Sequence, residues 1–297
     1  MLGKNIDEAT PKTGAFPPSS KMPTRSIGTV IALTMLVLGL LGFNILFSIQ
    51  AVALDLDFYL ARWAEFDIPK SAQMSMADLE LAGRKLLKYF TGKESTPQIK
   101  VTIDGNLRPL YRENEMIHLE DVQVLFQTGF LMKRVSQGLI LLGIALAVLG
   151  CKCTTGANYS LTPGRPSPST SASARTPKSC MQAISNFIGI VRPIMGKSLG
   201  TAGIILAVTT ILLALPAAFD FTGWWTNFHL LTFENDLWRL DPDLDWLIKI
   251  FPEEFFFAAA KRTALYSAAI TAAYIGLGLI LCLPVSHFTA DHSKDYL

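Results

Sequence analysis

Four long stretches of the chain carry no charged side chain: Ser26–Leu54, Val135–Cys151, Ser198–Phe219 and Thr263–Ala290. A helix needs about 20 apolar residues, within roughly 17–25, to cross a bilayer. Each stretch reaches that range, the second at its lower limit. The preceding "VLFQTGFLMKRV" lengthens the second, because Lys133 and Arg134 can snorkel to the interface. The expected fold is an all-α membrane protein with four transmembrane helices. Charged residues make up 17% of the 297 residues, below the roughly 25% of soluble domains, and the deficit lies in these four stretches. "AVA" at Ala51–Ala53 looks like a signal-peptide cleavage site. The apolar run before it is far longer than the 7–15 residues of a signal h-region, so it reads as a retained helix.

Lys and Arg in short loops set orientation. Between Lys152 and Lys197 lie Lys152, Arg165, Arg175, Lys178, Arg192 and Lys197 with no acid, whereas Asp220–Arg262 is rich in acids. The N-terminus adds Lys4, Lys12, Lys21 and Arg25 against Asp7 and Glu8. This pattern places both termini and the middle loop in the cytoplasm of a multi-pass cell-membrane protein. The expected order is a disordered cytoplasmic tail (1–25), helix 1 (26–54), an extracytoplasmic insert (55–118) and helix 2 with an outer extension (119–150). A low-complexity cytoplasmic loop (151–197) follows, then helix 3 (198–219), an extracytoplasmic loop with an interfacial helix (220–262), helix 4 (263–286) and a cytoplasmic tail (287–297). The loop contains "TPGRPSPSTSASARTPKS", whose composition marks a spacer.

The insert reads as a small α+β unit between helices 1 and 2. "MADLELAGRKLLKYF" places Leu79, Leu81, Leu86, Leu87 and Phe90 at a partly helical period. "QIKVTIDGNLRPLY" alternates at Ile99, Val101 and Ile103 and turns at Asp104-Gly105, as a short hairpin does. After helix 3, Phe219, Phe221, Trp224, Trp225 and Phe228 form an aromatic belt of the kind found at headgroup level. Asp241-Pro242 can start a helix. Trp246, Leu247, Ile250 and Phe251 would then give an apolar face lying along the membrane surface.

The net charge of +2, with no basic patch interleaved with aromatics, gives no reason to expect nucleic acid. Cys151, Cys153 and Cys180 fall in the cytoplasmic loop and Cys282 in helix 4, so free thiols are expected. "CKC" as a palmitoylation or metal site is a weak signal. There is no GxSxG elbow, HExxH signature or Gly-rich phosphate loop. No metal and no soluble cofactor are expected.

His118 and His229 are placed at the external membrane edge, just before helix 2 and just after helix 3. Histidine exchanges protons near neutral pH because its ordinary pKa is about 6.5. In "HLED" His118 and Asp121 are spaced i,i+3, on one helical face. Asp121 is therefore expected to hold one ring nitrogen. His287 and His292 receive no role.

"RENEMIHLEDVQVLF" and "FHLLTFENDLWRLDPDLDWLIKIFPEEFF" resemble two signature regions of the lipoprotein intramolecular transacylase family, bacterial four-helix membrane proteins. The first matches His-x-x-Asp-Val at His118, Asp121 and Val122. The second matches at Phe228, His229, Phe233, Asn235, Trp238, Leu240, Asp241, Pro242, Phe251, Pro252, Glu253, Phe255 and Phe256. The likeness covers roughly 26–150 and 198–285. Leu119 stands where the family carries methionine, and the N-terminal tail and Ser/Pro-rich loop are extensions to its pattern.

The resemblance implies an acyl transfer within one substrate, a diacylglyceryl-modified lipoprotein with a free N-terminal cysteine. The sn-2 acyl chain would move to the α-amine, giving a lyso-form lipoprotein. On this reading His118 is the general base, oriented by Asp121, and His229 stabilises the oxyanion or protonates the leaving oxygen. The two roles are exchangeable at this stage. Asn235, Asp241 and Glu253 are supporting residues. The partners are the lipoprotein N-terminus and the phospholipid bilayer. Two alternatives remain: a non-catalytic membrane partner or chaperone using the insert, and an intermolecular lipid acyltransferase.

Overall fold

The computed structural model describes residues 27–155 and 177–283. The N-terminal tail, most of the Ser/Pro-rich spacer and the C-terminal tail lie outside these residues.

Four helices are long and apolar enough to cross a membrane. They are α1 (Ile27–Ala53), α5 (Glu113–Thr155), α6 (Pro177–Phe219) and α9 (Glu253–Cys282). Between α1 and α5 come α2 (Leu56–Glu65), α3 (Ile68–Ser71), α4 (Met76–Phe90), β1 (Lys100–Ile103) and β2 (Asn106–Pro109). Between α6 and α9 come α7 (Phe221–Thr232) and α8 (Trp246–Ile250). The protein is therefore an all-α membrane protein with a small two-stranded sheet in the insert.

The helix α6 begins at Pro177, so residues 177–197, read from sequence as loop, continue helix 3. The polar residues that suggested a loop do not interrupt the helical hydrogen bonding, and even Pro193 and Pro216 are accommodated inside it. The last span, α9, starts at Glu253, ahead of the uncharged run; Pro252 occupies the N-cap position without a side-chain cap bond.

Within the bundle, α1 packs along α5 and α6 along α9. These contacts are close because small residues allow the backbones to approach. A Cβ on Gly39 would lie 2.7 Å from Ile140 Cγ1 and 2.8 Å from the Ser136 carbonyl oxygen. A Cβ on Gly278 would lie 2.8 Å from the Gly200 amide nitrogen. Polar groups are turned inward. Asn44 Nδ2 donates to Thr271 Oγ1 at 3.2 Å, and Ser48 Oγ donates to Asn44 Oδ1 at 3.1 Å.

The insert has an apolar core of its own. Trp63, Leu79, Ile103 and Leu110 are fully or almost fully buried. Phe58, Tyr59, Trp63, Phe251 and Phe255 form a contiguous aromatic cluster. Trp63 Nε1 donates to the Ile250 carbonyl at 2.8 Å, tying α2 to α8. The hairpin pairs Ile103 with Asn106. Asp104 and Gly105 both have positive φ, 48° and 75°, as a two-residue type I′ turn requires.

The α8 region departs from the sequence reading in two ways. The helix starts at Trp246 rather than after Asp241, with Asp245 as N-cap. Asp241 Oδ1 instead accepts from the Asp243 amide at 2.8 Å, closing a local turn. Leu247, Ile250 and Phe251 are buried and complete the insert's core. The apolar face that suggested lipid contact is satisfied by Trp63 and its neighbours.

Candidate active site

The two histidines predicted from sequence meet. His118 lies in the second turn of α5 and His229 near the end of α7, and their ring centroids are 6.3 Å apart. Each residue is only 7% exposed. The helix α7 begins where Asp220 Oδ1 accepts from the Gly223 amide at 2.9 Å, capping the first turn and fixing the helix direction.

His229 sits in an aromatic enclosure. Trp238 stacks on it at 4.7 Å, and Trp225, Phe228 and Phe233 approach within 4.6–5.6 Å. Its Nδ1 lies 2.8 Å from the Trp225 carbonyl oxygen. A carbonyl only accepts, so Nδ1 carries the proton and Nε2 keeps its lone pair in the neutral ring. Burial lowers the His229 pKa below its ordinary 6.5, and the bond to Trp225 opposes that shift in part. The neutral form is therefore the resting form at neutral pH.

His118 packs its ring against Phe233 at 5.2 Å, and its Nδ1 is buried without a hydrogen-bond partner. Asp121, the expected partner, is engaged elsewhere: its Oδ2 accepts from Asn235 Nδ2 at 2.9 Å. The i,i+3 spacing places the two residues on neighbouring turns but leaves the carboxylate free to turn toward the loop after α7. Asp121 and Asn235 thus tie that loop to α5. Glu253 accepts from Thr222 Oγ1 at 2.6 Å, joining the start of α7 to the start of α9. Asp241 shapes its own turn and donates its amide to Asp245 Oδ2 at 2.8 Å. Of the predicted residues, then, the histidines converge, Asp121 and Asn235 pair beside them, and Glu253 and Asp241 hold the framework.

The sequence reading missed a cross-cap beneath His118. Glu115, one turn earlier on α5, is fully buried. Its Oε2 accepts from the Arg112 amide at 2.7 Å, the return bond of a capping box. Its Oε1 accepts from the Leu247 amide at 2.5 Å, in the first turn of α8. Asp245, the N-cap of α8, makes no side-chain cap bond to its own helix. It instead accepts from Arg112 Nη1 at 3.0 Å and from Asn114 Nδ2 at 3.2 Å. Each helix start is thereby fastened by the other's carboxylate. The i,i+3 spacing of Glu115 and His118 was the available signal, but the partner lies 132 residues away. Among the described residues, no group of three or more His, Cys, Asp and Glu side chains is placed to hold a metal ion.

Comparison with known proteins gives the family and the fold of the chain. Residues 32–256 match the family model described as lipoprotein intramolecular transacylase Lit. The chain belongs to that family. Its fold is that of the membrane-integral lipoprotein intramolecular transacylase Lit from Bacillus cereus, with a TM-score of 0.59 at 19% identity. That alignment covers 86% of this chain and 94% of the other. Two histidine-substituted forms of the Bacillus cereus transacylase also match. The histidine-to-arginine form has a TM-score of 0.53 at 17% identity, covering 85% of this chain and 91% of the other. The histidine-to-alanine form has a TM-score of 0.51 at 18% identity, covering 86% and 92%. No curated protein matches. The protein is a multi-pass membrane acyltransferase, a lipoprotein intramolecular transacylase.

Proposed function

We propose that this transacylase moves the sn-2 acyl chain of a diacylglyceryl lipoprotein onto the α-amine of the same molecule's N-terminal cysteine. The reaction proceeds through the two histidines, without an acyl-enzyme. An α-amine has a pKa of about 7.7–8.0 and attacks only after losing a proton. The nucleophile is already in the substrate, so orientation and proton transfer are what the protein must supply.

The hydrogen bonding favours exchanging the roles first assigned from sequence. His229, with Nδ1–H bonded to Trp225, offers the Nε2 lone pair and takes the amine proton as nitrogen attacks the ester carbon. For His118, a bare Nδ1 lone pair is less costly to bury than an unpaired N–H, which puts its proton on Nε2. That N–H stabilises the oxyanion. The intermediate collapses by breaking the carbon–oxygen bond, and His229 returns its proton to the departing glycerol oxygen. An amide and a free sn-2 hydroxyl result. The two rings, with centroids 6.3 Å apart, are near enough for one to serve the amine nitrogen and the other the carbonyl oxygen of a single bound substrate.

The charge asymmetry of the loops orients the site toward the outside, with both termini in the cytoplasm. The observation carrying the reading is the meeting of two buried imidazoles from α5 and α7 in a chain of this family.

The experiment is a crossover test. Purified protein receives a mixture of two diacylglyceryl lipopeptides, one with an isotope-labelled sn-2 chain and a distinct peptide mass. Mass spectrometry should find the labelled amide only on the peptide that began with the label. Label crossing to the other peptide would mean an intermolecular acyltransferase, and no amide at all would leave a non-catalytic partner.

A further inference from the structure

A cavity of about 460 Å3 lies away from the histidines, between α2 and α9. Its walls include Phe58, Arg62, Lys261, Arg262 and Leu265, with the acids Asp55 and Asp57. Its depth is set by sequence. Asp55 directly follows the uncharged run that contains α1, and Arg262 directly precedes the uncharged run that ends the chain's last span. The cavity therefore straddles the boundary between headgroup and hydrocarbon, with charged groups on one side and Leu265 on the other.

Cations converge there. The guanidinium carbons of Arg262 and Arg62 lie 5.0 and 5.8 Å from the centroid of the same Phe58 ring. Arg262 Nη2 is met by Asp55 Oδ2 at 2.8 Å, and Arg62 Nη1 by Glu65. These pairs leave donors unused. Arg62 Nε is buried with no acceptor. Lys261 rests its ammonium 4.6 Å from the Phe257 ring centroid and has no carboxylate partner among the described residues. A buried guanidinium N–H without an acceptor is costly, and a neighbouring ammonium adds positive potential to the same space.

We propose that this cavity binds the phosphodiester of a bilayer phospholipid. The phosphate oxygens accept from the Arg62 guanidinium and from Lys261, both of which line the cavity, and an acyl chain runs past Leu265 into the hydrocarbon. Such a lipid adds to the seam between insert and bundle, where Phe58 and Tyr59 pack on Phe255 and Arg262 pairs with Asp55. This binding is independent of the acyl-transfer chemistry at the histidines.

The test uses the full-length protein, delipidated in detergent and titrated with dioleoylphosphatidylglycerol, dioleoylglycerol or inorganic phosphate. Native mass spectrometry counts bound lipid, and thermal melting gives an independent readout. The native protein should retain phosphatidylglycerol and melt higher with it, and neither diacylglycerol nor inorganic phosphate should match this. Lys261→Gln should weaken phosphatidylglycerol binding about fivefold, the worth of one cation near a lipid surface. Arg62→Gln should weaken it at least as much. Lys261 is exposed, so its substitution keeps the test informative even if Arg62→Gln folds poorly. Unchanged lipid binding in Lys261→Gln, or equal retention of diacylglycerol, would overturn the proposal. Protection by inorganic phosphate as strong as that by the lipid would overturn it too.

Discussion

The insert and the bundle solve opposite problems with the same chain. In the insert, large apolar side chains point inward: Trp63 and Leu110 are fully buried, and the exterior carries ion pairs such as Arg84–Glu80. In the bundle, large apolar side chains point outward: Leu141 is 68% exposed and Leu212 65% exposed. The bundle interior holds Asn44, Ser48, Ser267 and Thr271 beside small residues. Water drives apolar burial in the first region. Lipid gives no such drive in the second, where close packing and hydrogen bonds decide. His118 lies on α5, which continues into a span of the bundle, and His229 on α7, the short helix that follows α6.

The comparison breaks most visibly at the insert's core. Trp63→Ala should cost about 3–5 kcal/mol, through lost burial, a cavity and the lost bond to Ile250. Thermal melting in detergent should show a large decrease confined to the insert's cooperative unit. A decrease no larger than that of an outward-facing control, Leu212→Ala, would contradict the contrast.

The cross-cap joins the insert to the loop preceding α9. Glu115→Gln keeps one acceptor and turns an amide toward the other backbone N–H. The expected cost is about 1–3 kcal/mol. Hydrogen exchange should rise together at the starts of α5 and α8, which are distant in sequence. Exchange increasing at only one of them would show that the two caps are independent.

Inside the bundle, Asn44→Ala removes the donor to Thr271 and the acceptor for Ser48. Because the alternative state in lipid also finds partners, the expected loss is only about 0.6 kcal/mol. A penalty as large as that of Trp63→Ala would mean that polar bonds, rather than close approach, hold the helices.

The smallest effect is pH dependence. His229 has a folded pKa below its ordinary 6.5, so the unfolded chain binds more protons across that window. Stability is then present above 6.5 and is lost as the pH falls through the window. Melting temperature should fall between about pH 7.5 and about pH 5.5, and His229→Gln should reduce that fall.

The four spans were legible because lipid excludes charge, which leaves uncharged runs in the sequence. The hairpin was legible because Asp104-Gly105 is a turn signal with a steric cause. The pairing of His118 with His229 came from matching membrane depth and the family resemblance. The true start of α8 was hidden because Asp241-Pro242 satisfies helix-start rules while its side chain closes a turn instead. The cross-cap was hidden because Glu115 and Asp245 find their partners only after folding. The bond of Asp121 was hidden for a similar reason: local spacing permits a bond to His118, but its Oδ2 accepts from Asn235, 114 residues away.

The most direct test of the paired-histidine account compares His118→Gln with His229→Gln on a synthetic diacylglyceryl lipopeptide, with mass spectrometry of its N-terminus. A glutamine amide can still donate to an oxyanion but cannot take a proton. Lyso-form product should therefore persist at a reduced rate in His118→Gln, and His229→Gln should lose about 10²–10⁴-fold. Product formed by His229→Gln at the native rate would contradict the account.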